Sequence, residues 1–329
     1  MDNSSISYRL SLIALLLAGC VVLLGAYTRL VDAGLGCPDW PGCYGFLTVP
    51  ETPEDVKTAE SVFPHAPVEA EKAWAEMVHR YFAGTLSLLI AVLAVLAIKN
   101  RNDETQSLLL PLLLLGTVMF QAALGMWTVT MGLLPVIVMG HLLGGFTTLS
   151  LLLLLYLNIL HGNAPAVRSP LRTSALIAVV IVAMQITLGG WTSANYAAII
   201  CSDFPTCQGL WIPPLDLSGA LQISSHGVTS YLGGHLGNDA RVTIQWMHRL
   251  GALITSVFVL ALVLNLLMQG WLRFGGWLLL LLVTQILLGI SNVVFSLPLA
   301  VAVAHNGVAA LLLLSLLALV HYLGLTKLT

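Results

Sequence analysis

The chain has 329 residues, of which 58% are hydrophobic and only 9% charged, and its formal net charge is −2. A mean hydropathy of +0.92 excludes an ordinary soluble domain, whose surface needs far more charge. The near-neutral balance, with no basic patch, also excludes a nucleic-acid footprint.

A helix needs about 20 mostly apolar residues to cross the hydrocarbon core. Eight segments meet that requirement, at 8–30, 76–98, 107–130, 134–160, 173–194, 244–268, 272–294 and 298–323. They are rich in Leu, Ala, Val and Gly and show no long alternation of the kind a membrane barrel requires. The fold class is therefore all-α integral membrane, with eight transmembrane helices. The first segment sits where a signal peptide would. Its charged start is only Arg9, no small-residue cleavage site follows, and its pattern recurs later, so it reads as a retained helix.

With the N-terminus inside, the inner loops hold Arg9, Lys99, Arg101, Arg168, Arg172, Arg273 and Lys327. The outer side holds Arg29, Lys57, Lys72, Arg80, Arg241 and Arg249. Lys57, Lys72 and Arg241 fall in two long loops, which cross largely regardless of charge, so both termini are expected inside. The first outer loop is acidic (Glu51, Glu54, Asp55, Glu60, Glu69 and Glu71), and its stretch 48–74 carries no interpretable motif. Cys37 and Cys43 lie in that loop, Cys201 and Cys207 in the second, each pair with five intervening residues. Both pairs fall on the side that is oxidising in a bacterium. A disulfide within each pair is expected there, with reduced loop thiols as the alternative. Cys20, inside the first segment, reads as a small packing residue. No Cys-x-x-Cys-His occurs, so covalent haem attachment is not indicated.

The chain contains itself twice. Leu24-Gly-Ala-Tyr-Thr matches Leu188-Gly-Gly-Trp-Thr, Cys37 and Cys43 match Cys201 and Cys207, Gln121-Ala-Ala-Leu-Gly matches Gln285-Ile-Leu-Leu-Gly, and His141 matches His305, all at an offset of 164. His79 and His248 differ by 169, so five residues are added before that helix and removed after it. Each half has an even number of crossings, so both enter the membrane in the same orientation, as parallel repeats about a pseudo-twofold axis along the membrane normal. Two tandem four-helix bundles are expected, at 1–160 and 173–329, joined by a cytoplasmic linker at 161–172.

An ionisable residue inside a membrane helix is a functional candidate by default. His79, His141, His248 and His305 each stand near the start of a helix running from outside to inside, about one or two turns below the outer surface. Two neutral imidazoles at one depth on facing helices suit axial ligation of a haem iron in each half. Zinc or copper would call for further Cys, His or carboxylate ligands at that depth. Haem propionates are anionic, and the fork of arginine suits them, which makes Arg29, Arg80 and Arg249 candidates; interfacial snorkelling is the alternative. His65, His161, His226, His235 and His321 have no paired position and read as solvated, with His226 and His235 near an outer mouth. The halves differ at one point. Glu76 stands three residues before His79, on the same helix face, whereas Gln245 stands three before His248. A carboxyl group there can move protons or stabilise positive charge, which an amide does poorly.

The run from Gly25 through Ala-Tyr-Thr-Arg-Leu-Val-Asp-Ala-Gly-Leu-Gly-Cys-Pro-Asp-Trp-Pro-Gly to Cys43, with Glu76-x-x-His79-Arg80 and the later histidines, resembles haem A synthase over essentially the whole chain. The resemblance implies oxidation of the C8 methyl group of haem O to the formyl group of haem A, by successive hydroxylations and loss of water. It implies haem b on His248 and His305, the substrate porphyrin on His79 and His141, and Glu76 as the essential carboxylate. The loop cysteines match the bacterial cysteine-containing type, which places the protein in the bacterial inner membrane with its haem sites near the outer face. Haem O synthase and cytochrome oxidase assembly factors are implied contacts, membrane lipid is the surroundings, and the electron acceptor is unknown. Two other readings use the same histidines: a quinone-linked di-haem b-type electron-transfer protein, and a transporter relaying protons.

Overall fold

The computed structural model describes residues 3–101, 108–161, 169–224 and 227–325. Arg168, His226, Lys327 and most of the 161–172 linker lie outside the described residues. The elements in chain order are α1 (Asn3–Leu30), α2 (Pro53–Val62), α3 (Ala70–Lys99), α4 (Leu109–Thr130), α5 (Pro135–His161), α6 (Pro170–Ala194), α7 (Leu217–Ala220), α8 (Asn238–Met268), α9 (Leu272–Val294) and α10 (Leu299–Leu325). All but α2 and α7 are long and apolar enough to cross a membrane, eight spans in the described residues. In hydrocarbon every backbone N–H and C=O must be satisfied within the protein, and helices do this within one segment. Strand pairing among the described residues is confined to two isolated bridges, Cys43 with Phe46 and Cys207 with Leu210.

Helix starts follow local chemistry. Ser169 accepts from the Arg172 N–H and Pro170 opens α6, while Thr52 accepts from the Asp55 N–H ahead of Pro53 in α2. The helices α3 and α8 begin six residues before the apolar runs at 76 and 244. At 30 and 31 residues they reach roughly 45 Å, well beyond the hydrocarbon core of about 30 Å.

Within the first half α1 packs on α3, α3 on α4, α4 on α5 and α5 on α1, closing a ring. In the second half α6, α8, α9 and α10 close a ring in the same order. Between the rings α1 meets α10, α5 meets α6, and α5 meets α10. Exchanging the halves turns the first of these contacts into the second and the third into itself. A shared apolar core runs through both rings, including Ile90, Leu114, Leu152, Leu266, Leu278 and Leu316, each fully buried.

Local geometry repeats at 164 as well. Left-handed backbone occurs at Asp32 and Tyr196, at Tyr44 and Gln208, and at Leu133 and Leu297. Two contacts join residues to their own counterparts: the Arg29 guanidinium donates to the Ser193 carbonyl at 2.6 Å, and the Tyr196 hydroxyl to the Asp32 carboxylate at 2.8 Å. Arg29 also lies 4.0 Å from the centroid of the Tyr196 ring.

Candidate functional site

The four histidines stand on diagonal helices of their rings, His79 on α3 with His141 on α5, and His248 on α8 with His305 on α10. His141 and His305 lie about two turns from the start of their helices, His79 and His248 about three turns from the start of the longer ones. All four are half-buried. Each imidazole lies with its Cε1 edge against a glycine of the preceding helix in its ring. A Cβ on Gly25 would come within 3.0 Å of His79, on Gly125 within 3.4 Å of His141, and on Gly189 or Gly289 within 3.2 Å of His248 or His305. A side chain at Gly25, Gly189 or Gly289 would press on the ring, so these glycines help set how deeply the imidazoles seat, while Gly125 leaves His141 at ordinary contact distance.

The His79 and His141 ring centroids are 6.3 Å apart with planes at 83°. Two metal–imidazole bonds of about 2 Å each, with the two ring half-widths, fill that separation. The Nδ1 atoms of His79, His141 and His305 are buried without a hydrogen-bond partner. Among the described residues no group of three His, Cys, Asp or Glu side chains gathers to hold a bare metal ion. Two imidazoles suffice for an iron whose equatorial ligands come from a porphyrin, and polar ring atoms left open in an apolar bundle fit that use.

Glu76 is buried, with 5% of its surface exposed, and so is its counterpart Gln245, at 4%. One oxygen of Glu76 pairs with Arg80 and the other accepts the Cys37 N–H at 2.9 Å. The carboxylate thus joins the helix carrying His79 to the first disulfide loop. In the second half the Gln245 Oε1 has no partner.

The cysteines form two disulfides, Cys37–Cys43 and Cys201–Cys207, so the reduced alternative does not hold. Cys20 is exposed on α1, not packed in the core; in a bundle edge facing lipid, a small thiol needs no burial. Each disulfide loop hangs on an arginine. Arg80 donates to the carbonyls of Asp39, Pro41 and Gly42, and Arg249 to those of Cys201, Asp203 and Thr206. The forks of Arg80 and Arg249, expected at propionates, hold loop backbone here and Arg29 holds the junction between the halves, while the buried Arg249 Nε has no partner. Asp39 caps its loop through the Tyr44 and Gly45 N–H groups, and Asp203 caps the other through those of Gln208 and Gly209. The Thr206 hydroxyl, followed by these N–H groups, pulls the Asp203 carboxyl down to about 2.

The stretch 48–74 contains α2, and packs a cap of Tyr44, Val49, Ala59 and Met77 around the first disulfide. Thr52-Pro53-Glu54-Asp55 is a helix-start signal that could have revealed α2. His65, His161 and His235 are exposed as expected, but His321, read as solvated, is buried near the C-terminal end of α10, where its ring packs beside His161 and Tyr322. The glycines against the histidines, and Gln185 beside His248, escaped the sequence reading. The repeat pairs Gly25 with Gly189 and Gly125 with Gly289, but nothing in it says what they touch.

The family profile COX15-CtaA, described as cytochrome oxidase assembly protein, matches residues 8–317. Heme A synthase of Shewanella oneidensis is 47% identical over 307 residues, covering 92% of this chain and 92% of that protein. Heme A synthase of Mesorhizobium japonicum is 28% identical, covering 92% of this chain and 86% of that protein. Heme A synthase of Halalkalibacterium halodurans is 26% identical, covering 93% of each.

Proposed function

Since the chain belongs to the COX15-CtaA family of cytochrome oxidase assembly proteins, we propose how its two halves divide the work of a haem A synthase. It is a multi-pass membrane enzyme of haem A biosynthesis, acting on haem O in the service of terminal oxidase assembly. The reaction assigned to it is oxidation of the haem O methyl group to a formyl group. Residues 1–160 form the substrate half, with His79 and His141 as ligands of haem O. Residues 173–329 form the half in which His248 and His305 hold haem b, with 161–172 joining them. Both termini face the cytoplasm and the histidines lie toward the outer face, in a bacterial inner membrane.

When bound, haem b supplies one-electron redox capacity beside the substrate half. The chain's own part is positional. Glycine-seated imidazoles fix the substrate iron between α3 and α5, and the apolar ring walls exclude water from the reacting edge. Glu76 offers a carboxylate one helical turn from His79, held in place by Arg80 and the Cys37 N–H, and accepts protons released as the methyl carbon is oxidised. A single observation carries this assignment: a buried, doubly anchored carboxylate accompanies one histidine pair, and an amide stands at the same place beside the other. An electron-transfer protein would use all four histidines but leaves that difference without a purpose. Haem O synthase and assembly factors are the partners this reading places next to the enzyme.

Extraction and chromatographic identification of the porphyrins from purified protein tests the assignment. Haem O or haem A together with haem B supports it. Haem B alone would favour electron transfer, and no porphyrin would favour transport.

A further inference from the structure

Arg80 and Arg249 occupy equivalent places and differ in what their forks hold. Each follows a histidine, and each donates through Nη1 to carbonyls of its own disulfide loop. The Arg80 Nη2 pairs with the Glu76 carboxylate, one helical turn back. The Arg249 Nη2 donates instead to the Cys201 carbonyl at 2.9 Å. Where Glu76 would stand, Gln245 is buried with its Oε1 unpartnered. Among the described residues no carboxylate lies within ion-pair distance of Arg249, and its buried Nε has no partner.

The remaining charges near the two sites do not restore the balance. Asp39 and Asp203 accept from equivalent N–H groups in their loops, so they cancel in the comparison. Arg29 at the junction is paired with Asp32 and adds no net charge. Farther out, the first outer loop (31–75) holds eight acidic residues against two lysines, and the second (195–240) holds three aspartates and no Lys or Arg. Salt screens exposed charges beyond about 10 Å, but a half-buried guanidinium much less. Both the near and the far charges therefore leave the second histidine pair in more positive surroundings than the first.

Reduction of a ferric haem adds one negative charge at the iron, so a fixed positive charge close by favours the reduced form. One unit charge about 10 Å away, at an effective dielectric near 20, changes the ratio of reduced to oxidised haem roughly tenfold. We propose that Gln245, by leaving Arg249 without a counter-charge, makes the second-half haem easier to reduce than a Glu76-like carboxylate would, and so fits it to take up electrons leaving the first half. Gln245 acts through Arg249 and touches no reacting atom; it is a positioning residue. The inference rests on the assignment of haem b to the second half.

The test is potentiometric reduction of the purified full-length protein, followed at the b-type absorbance band. Gln245→Glu rebuilds the pair that Glu76 makes with Arg80. It should lower the ratio of reduced to oxidised haem b about tenfold at a fixed ambient potential, a downward shift of about 59 mV for a one-electron couple. Gln245→Leu removes the amide without adding charge and should leave that ratio within about twofold, which separates charge from packing. Arg249→Gln keeps an N–H donor for the loop carbonyls, loses the charge, and should shift the ratio in the same direction as Gln245→Glu. If Gln245→Glu does not fold, Arg249→Gln decides alone. A b-type haem present with an unmoved potential in Gln245→Glu, or moved equally in Gln245→Leu, overturns the inference and spares the assignment. Absence of a b-type spectrum from the wild type overturns both.

Discussion

The two halves keep the same skeleton and differ in a handful of side chains at the centre. Both seat imidazoles on glycines, both hang a disulfide loop on the arginine that follows a histidine, and both cap that loop with an aspartate. The first half alone has a carboxylate beside its histidine pair, and it has Val21 where the second half has Gln185 beside His248. The shared parts are those that seat the imidazoles and tie each disulfide loop to its helix. The unshared parts stand beside the histidines, on the same helices or facing them. Duplication preserved the holder and freed its contents to diverge.

The sharpest way to break this division is to remove ligands. His248→Ala or His305→Ala should abolish the b-type reduced-minus-oxidised spectrum, while His79→Ala and His141→Ala retain it; equal losses from both pairs would erase the distinction between the halves. Glu76→Gln should lower haem A formation by about a hundredfold or more and keep bound porphyrin, since an amide oxygen still accepts the Cys37 N–H. Full activity in Glu76→Gln would sink the catalytic role. Glu76→Ala is a poorer probe, because it leaves Arg80 buried without its counter-charge, at about 3 kcal/mol or more.

Smaller effects sharpen the comparison. Loss of either disulfide by double Cys→Ser replacement should destabilise by about 2 kcal/mol from loop closure, measured as a fall in Tm. Haem A formation should drop only for Cys37/Cys43, because Cys37 anchors Glu76 and Cys201 anchors no carboxylate. The smallest effect is a pH dependence at Asp203. Its folded carboxyl titrates near 2, below its unfolded value, so its stabilisation is complete above about pH 4 and fades as pH falls toward 2. The difference in Tm between wild type and Asp203→Asn should therefore be level above pH 5 and close below pH 4.

The eight spans were legible because hydropathy alone decides which segments lipid accepts, and the histidines because an ionisable group is conspicuous in an apolar run. The first turns of α3 and α8 were not. Glu71 and Lys72, or Asp239 and Arg241, stand outside the hydrocarbon, where a helix no longer needs apolar residues. The roles of Arg80 and Arg249 were hidden for another reason. Their acceptors are backbone carbonyls of the disulfide loops, which have no side-chain signature. Gln185 was hidden by divergence, since its counterpart is Val21 and the repeat offers no match to draw the eye.

The contacts of Arg29 with Ser193 and of Tyr196 with Asp32 join positions that duplication made equivalent. A homodimer built from the first half alone, about the same axis, would have to place the same residue on both sides of the seam at each of these positions, with Arg29 facing the Asp32 of its twin where it now lies over the Tyr196 ring. Joining the copies in one polypeptide removes that constraint, because each position across the axis mutates separately from its twin. The covalent link thus provides more than proximity: it permits an unlike, complementary seam that no symmetric pair of this half could form.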